Sequence, residues 1–367
     1  MSELKVDKVS PRSGNYISLN TVGSKNIIIN GDMSIAQRGT SYTGLTNGDN
    51  GYFTCDRYKT ANDVSGTWTQ SQSTDVPSGQ GFANSLKMDC TTANGSLSSN
   101  SVLFLSQKFE GQNLQYIKKG TSSAESLTLS FWVKSNKTGT YIAELFDIDN
   151  LRQISKSYTI DASNTWEKKT LTFEGDTTGT LDNDNARSID INLFLTAGTN
   201  YTSGTLGTSW QSYDDTDRAV GQVNLADSTA NEWYVTGLQL EAGTTASDFE
   251  FLPYDVNLQR CQRYCYINKA NGTTYKIFCL AFYEDSTTYN AFLPFPITMR
   301  NTPSVSFSGS FRVYDTANRS VSSQALTTAS PYELGIQGTT SATSATNPGK
   351  LQSENDGNAY ILLTAEL

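Results

Sequence analysis

The 367-residue sequence contains no histidine. That absence removes Ser-His-Asp and Cys-His catalysis, imidazole metal sites and imidazole proton shuttles. Among familiar enzyme classes only carboxylate chemistry of the glycosidase type survives it, so the expectation is a binding or structural protein and not an enzyme. Long apolar runs are missing as well. No stretch approaches the roughly 20 residues that span a bilayer, and the opening MSELKVDKVSPRSGN lacks the apolar core of a signal peptide. No Lys/Arg run interrupts a formal net charge of −9, set by 36 acidic against 27 basic residues. The footprint of a phosphate-gripping surface is therefore absent, and neither nucleic acid nor membrane insertion is expected. Cysteine is scarce and scattered: Cys55, Cys90, Cys261, Cys265 and Cys279. An odd set of this kind does not make a disulfide framework. Cys261 and Cys265 would share one face of a short helix with Leu258, where they could hold a metal or act as small buried hydrophobes. The second reading is the expectation, with all five thiols reduced.

What the chain does have is 28 glycines, 19 tyrosines and 16 phenylalanines in a background of Ser, Thr and Asn. Aromatic and β-branched side chains pack on pleats, and Gly and Asn accept turn dihedrals. The fold class is all-β. Residues 1–24 form a short arm, with Leu4, Val6 and Val9 alternating ahead of a Ser-Pro-Arg-Ser-Gly turn that contains Arg12. The arm is too small to own a core, so it must lie on the next domain or on another chain. Residues 25–254 read as many short strands. SLTLSFWVKS at 126–135 is the clearest, with Leu127, Leu129, Phe131 and Val133 on one face and Trp132 and Lys134 on the other. Turns such as GDNG, TANGS and SNKTG punctuate the strands at the spacing of a two-sheet jelly-roll sandwich. Residues 255–265 read as a helical junction with Asp255 at the N-cap. Residues 266–367 read as a second, smaller β-sandwich domain, with GTTSATSATNPG at 338–349 as a loop.

Local chemistry adds detail. In INGDMSIAQRG, Ile27, Ile29, Met33 and Ile35 are core candidates around a tight turn or bulge at Asn30-Gly31-Asp32. In WYVTGLQLEAG, Gly237 interrupts an apolar strand and marks a bulge. These segments carry a resemblance. NIIINGDMSIAQRGTSY with YFTCDRYKT, SLTLSFWVKSNKTGTY with NTWEKKTLTF, and GQVNLADSTANEWYVTGLQLEAGTTASDFEFLPYDVNLQRCQRYCY resemble bacteriophage tail-fibre or receptor-binding virion proteins. That family carries a carbohydrate-binding-module-like jelly roll. FPITMRNTPSVSFSG and the closing TAEL resemble it more weakly, and LKVDKVSPRSGNYISL is similar to the start of marine-phage fibre proteins.

The resemblance implies a virion protein assembled in the host cytoplasm, homotrimeric, with other virion proteins and host surface polysaccharide as partners. It also implies anchoring to the particle through Leu4, Val6, Val9 and Arg12. A structural calcium held by Asp32 and Glu241 follows from it too. The alternative is that Asp32 caps a turn and Glu241 pairs with Arg38 or Arg57. Sugar-binding jelly rolls set flat rings against pyranose faces, which makes Trp132, Trp68, Trp210 and Tyr213 the glycan-binding candidates. Each could instead pack on a neighbouring loop or protomer. Asp147, Asp149, Asp182 and Asp184 read as solvated loops, since LDNDNARSIDIN lacks the glycine and terminal Glu of an EF-hand. Three functions follow: an adhesin contacting host glycans, a purely structural virion component (capsid decoration, head fibre or tail collar), and a polysaccharide depolymerase. The last is disfavoured because no β-helix repeat is visible.

Overall fold

The computed structural model describes residues 25–341 and 348–367. The arm residues Leu4, Val6, Val9 and Arg12 lie outside them. The first seven strands are β1 (Ser41–Leu45), β2 (Asp49–Tyr52), β3 (Lys59–Asp63), β4 (Thr67–Ser73), β5 (Ser85–Thr92), β6 (Val102–Glu110) and β7 (Leu127–Ser135). They continue with β8 (Gly139–Asp147), β9 (Arg152–Ile160), β10 (Glu167–Phe173), β11 (Arg187–Ala197), β12 (Gln211–Ser212) and β13 (Glu232–Ala242). One sheet has the order β1-β4-β5-β13-β7-β10 and the other β12-β9-β8-β11-β6-β3-β2, every pairing antiparallel. The chain steps from β5 in one layer to β6 in the other, back to β7 and across again to β8. That is the crossing pattern of a jelly roll.

Period-two alternation decides which side chains fill the space between the sheets. Leu127, Leu129, Phe131 and Val133 of β7 meet Leu103 and Leu105 of β6 and Ile189, Ile191 and Leu193 of β11 in one core. Gly237 makes the expected bulge: its φ is +65°, and the register with β7 slips between Thr236 and Gln239. The segment before β1 lies along the far half of β13. Ile27 N donates to Leu240 O at 2.9 Å, and Leu238 N donates to Gly31 O at 3.0 Å. A Cβ at Gly31 would stand 2.1 Å from the Leu238 carbonyl oxygen, so only glycine permits the approach.

The helix Tyr254–Gln262 joins the two units. Its N-cap is Pro253, not Asp255, which sits in the first turn. Proline suits that end because its missing N–H would have no helical partner there. Leu258 and Cys261 pack with Ile29, Ile35 and Tyr264. Cys265 does not extend the helical face; it opens the next strand, β14 (Cys265–Lys269).

The second unit continues with β15 (Ile277–Tyr283), β16 (Thr288–Pro294), β17 (Ser304–Ser308), β18 (Phe311–Tyr314) and β19 (Asn318–Ala329). It ends with β20 (Glu333–Thr340), β21 (Pro348–Ser353) and β22 (Tyr360–Thr364). These strands do not form the second sandwich expected from sequence. Six of them close into a barrel, β15-β16-β20-β19-β18-β21, and β14-β22-β17 form a separate small sheet. Closure removes exposed edges, and small inward side chains such as Ala281 and Ala291 beside Val313, Ile336 and Leu351 suit so narrow an interior. The stretch expected to be a loop at 338–349 is partly strand, because β20 runs to Thr340 and β21 starts at Pro348.

Buried charge ties the units together. Arg263 donates to both Glu110 oxygens at 2.7 Å, and Tyr264 Oη donates to Glu110 at 2.5 Å. Glu366 pairs with Arg57 and, at 3.2 Å, with Arg38. Arg57 also donates to Lys108 O at 2.7 Å and stacks on the Tyr264 ring, 3.5 Å from its centroid.

Candidate functional site

The register of the seven-stranded sheet aligns outward-facing residues into transverse rows. One row runs Lys59 (β3), Ser106 (β6), Asn192 (β11) and Glu144 (β8). The next runs Lys108 (β6), Asp190 (β11) and Phe146 (β8). The segment from Gly198 to Val223 folds over the far part of this face, where Ala219 and Tyr201 pack on Ile142 and Phe194. It brings Arg218 and Tyr213 to the rim. The result is a groove of 260 Å³ floored by the two rows and flanked by the rings of Phe104, Phe146 and Tyr213.

Two floor atoms are unsatisfied. Ser106 and Asn192 are each 2% exposed, and neither the Ser106 hydroxyl nor Asn192 Oδ1 has a hydrogen-bonding partner in the chain. Buried polar atoms are nearly always paired, because stranding one costs about 1–3 kcal/mol. The charged groups around them are held rigidly. Arg218 donates through Nε and Nη2 to the two oxygens of buried Glu144, both at 2.8 Å, and Asn192 Nδ2 donates to the same carboxylate at 2.8 Å. Arg187 Nε donates to Asp190 Oδ1 at 2.7 Å, with Nη2 on the other oxygen. Burial raises the Asp190 carboxyl against the pull of Arg187. Phe146 stands edge-on to Tyr213 at 5.2 Å, and Arg218 lies 5.5 Å from the Tyr213 centroid. Burial and the hydrogen bond to Asp215 push the Tyr213 phenol up to about 12, so it stays a donor at neutral pH.

The residues singled out from sequence disperse. Tyr213, 38% exposed, does line the groove. Trp68 cannot touch a glycan: it is 0% exposed, packed in the core, and its Nε1 donates to Ser65 O at 2.7 Å. Trp210 is half-buried against the core edge, donates to Glu174 O at 2.8 Å and carries Lys119 over its ring. Trp132 faces outward on the six-stranded sheet, on the side of the sandwich away from the groove. The same face carries Trp166 and Tyr234, not among the sequence candidates, whose ring centroids are 6.2 Å apart. Their polar atoms are already paired: Trp166 Nε1 donates to Asp75 at 2.9 Å, and Tyr234 Oη donates to Glu232 at 2.7 Å.

The carboxylates resolve similarly. Asp32 accepts from Ser34 Oγ at 3.0 Å and Asn257 Nδ2 at 3.1 Å, the turn-capping role. Glu241 pairs with neither Arg38 nor Arg57; its two oxygens accept from Ser247 N, Ser247 Oγ and Gln239 Nε2 at 2.8–3.0 Å. Donor hydrogens converge on both groups, the reverse of the oxygen cage that calcium requires. Both carboxylates serve hydrogen bonds within the fold, and no group of three or more His, Cys, Asp or Glu side chains that could hold a metal ion occurs among the described residues. Asp147 is not a solvated loop residue: it is buried against Lys119 at 2.5 Å. Asp182 and Asp184 are exposed. All five cysteines are free and buried.

No protein-family profile matches the chain, and no curated protein matches it. Among solved structures it is similar to the enzymatically active domain of tailspike protein 4 from bacteriophage CBA120, at 14% identity and a TM-score of 0.32. That match covers 59% of this chain and spans only 21% of the tailspike chain. It is similar to a carbohydrate-binding module (TmCBM61) in complex with β-1,4-galactotriose, at 10% identity and TM-score 0.31, covering 60% of this chain and 99% of the module. A third is a protein of Bacteroides thetaiotaomicron assigned, without proof, to sugar binding, at 10% identity and TM-score 0.33, covering 59% and 99% of the two chains.

Proposed function

We propose that the chain is a glycan-binding adhesin that seats a sugar in the groove of the seven-stranded sheet, without turnover. The observation that carries this reading is the pair of unsatisfied floor atoms, Ser106 Oγ and Asn192 Oδ1, beneath a rim of three aromatic rings. A hydroxyl-rich ring supplies what both atoms lack, while its apolar face covers Phe146 or Tyr213. The sequence resemblance of segments 26–42, 126–141 and 221–266 supports a place on a phage particle as a tail-fibre-like protein, with trimeric assembly. Weak contacts would then be summed over copies.

One observation favours a second reading, a purely structural virion component. Leu280, Phe282 and Phe292 are exposed together on the barrel wall, and Leu280 faces Phe292 across β15 and β16. Such a patch suits protein contact. The test is binding of the full chain to a glycan array and to host cells, with host polysaccharide as competitor. Saturable, competed binding that is lost in Tyr213→Ala and Asn192→Ala but kept in Trp132→Ala is expected. A folded chain that binds nothing, or that loses binding only in Trp132→Ala, would overturn the groove assignment.

A further inference from the structure

The chain is acidic overall, yet the groove is not. Lys59, Lys108, Arg187 and Arg218 line it, against Asp190 on the floor and Glu144 beneath. Asp190 is taken by Arg187, and Arg218 is taken by Glu144 and, at 3.4 Å, by Asp215, which leaves the two lysines outside these ion pairs. Among the described residues neither Lys59 nor Lys108 forms an ion pair with a carboxylate. The two lysines flank Ser106: Lys59 is its register partner on β3, and Lys108 lies two residues along β6. Lysines of one sign crowded beside a stranded hydroxyl do not stabilise a fold; like charges on adjacent strands repel. They do complement a ligand group bearing negative charge, for which ammonium and hydroxyl donors converging from two strands form a ready seat.

We propose that the glycan received by this groove is anionic, held through a carboxylate or sulfate on a sugar ring by Lys59, Lys108 and the Ser106 hydroxyl. This rests on the reading of the groove as a glycan site. The apolar rim takes the ring, and the lysine pair takes the charge. Ionisation supports the assignment. Burial, the Arg187 guanidinium and Lys59 press the Lys108 ammonium down to about 8, with Asp190 opposing. Lys108 is thus largely charged at pH 7 and largely neutral at pH 9.5. An anion arriving between the lysines favours the charged form, so binding above pH 8 takes up a proton. Elsewhere in the groove Arg218 and Glu144 form an ion pair with each other.

The experiment screens the full chain on an array of neutral, uronate-bearing and sulfated glycans. Calorimetry then follows with the best-bound glycan and its carboxyl-reduced or desulfated form. Expected are an anionic bound set and a loss of about tenfold or more when the charge is removed, the equivalent of one charge-assisted contact. Comparable loss is expected in Lys108→Met and, separately, in Lys59→Met, with Trp132→Ala unchanged and affinity weakening from pH 7 to 9.5. Preference for uronate over sulfate, or the reverse, identifies which group is carried. Equal binding of charged and neutral forms, or lysine variants that fold and bind like the parent, would overturn the anionic assignment and leave the glycan groove standing. No binding to any glycan would bring down both.

Discussion

The junction between the two units makes a strong demand on a single side chain. Glu366 is 7% exposed and is the counter-charge of Arg57, which is 1% exposed, and of Arg38. Burial works against the Arg57 charge, but Glu366, foremost among the groups that favour it, together with Tyr264 and Tyr52 holds the guanidinium above its ordinary value. Replacing Glu366 by Gln leaves Arg57 with the Lys108 carbonyl and the Tyr264 ring, but with no anion. Removing one partner of a buried pair costs about 3–5 kcal/mol; the remaining carbonyl and ring contacts place Glu366→Gln near the lower end. Urea unfolding followed by tryptophan fluorescence is the assay. All five tryptophans precede residue 254, so the signal reports the sandwich alone. The midpoint should fall, although the substitution lies in the other unit. Arg57→Met in the same background should restore much of the loss, since no uncompensated buried charge then remains. A change below about 1 kcal/mol, the range of exposed ion pairs, would refute the reasoning.

Three further outcomes follow from the same structure. Trp68→Ala should cost about 3–5 kcal/mol in the same unfolding assay, the range for a core aromatic, whereas Trp132→Ala should stay under about 1 kcal/mol. Burial lifts the Asp56 carboxyl to about 6 against Arg38 and Gln37. Its contribution to stability is therefore full below the ordinary carboxylate value and is lost as the pH rises through about 6. Asp56→Asn should flatten that part of the profile, read as a smaller change in unfolding midpoint between pH 4 and pH 7 than in the parent. Finally, a thiol reagent should find no reactive cysteine in the native chain and five after denaturation, because every thiol is buried.

Strands with strict alternation were legible from sequence because alternation alone fixes which face is inside. Leu127 through Val133 is the case in point. Trp68 was not legible for the same reason in reverse. It shares the inward face of β4 with Gln70, a polar residue buried there and bonded to Thr60 Oγ1 at 3.2 Å, so apolar periodicity points the wrong way. The groove escaped because it is a property of register. Ser106 and Asn192 lie 86 positions apart, and nothing local says that they are opposed. Barrel closure escaped likewise, since it depends on β15 pairing with β21 across most of the second unit. Tyr213 was found through composition, as an aromatic in a polar loop, while Phe146 and Phe104 looked like ordinary strand residues.

The Arg57–Glu366 contact spans 309 positions, and that distance has a meaning in time. At ~5–20 residues per second, a ribosome needs roughly 15–60 s to add the second partner after the first. In the last part of that interval, once β13 has been made, a nascent sandwich holds two arginines in a pocket still open to water. Contacts of such range close late. The helix, the barrel and β22 must all be in place before those charges are neutralised, so the junction records that synthesis and folding of both units are complete.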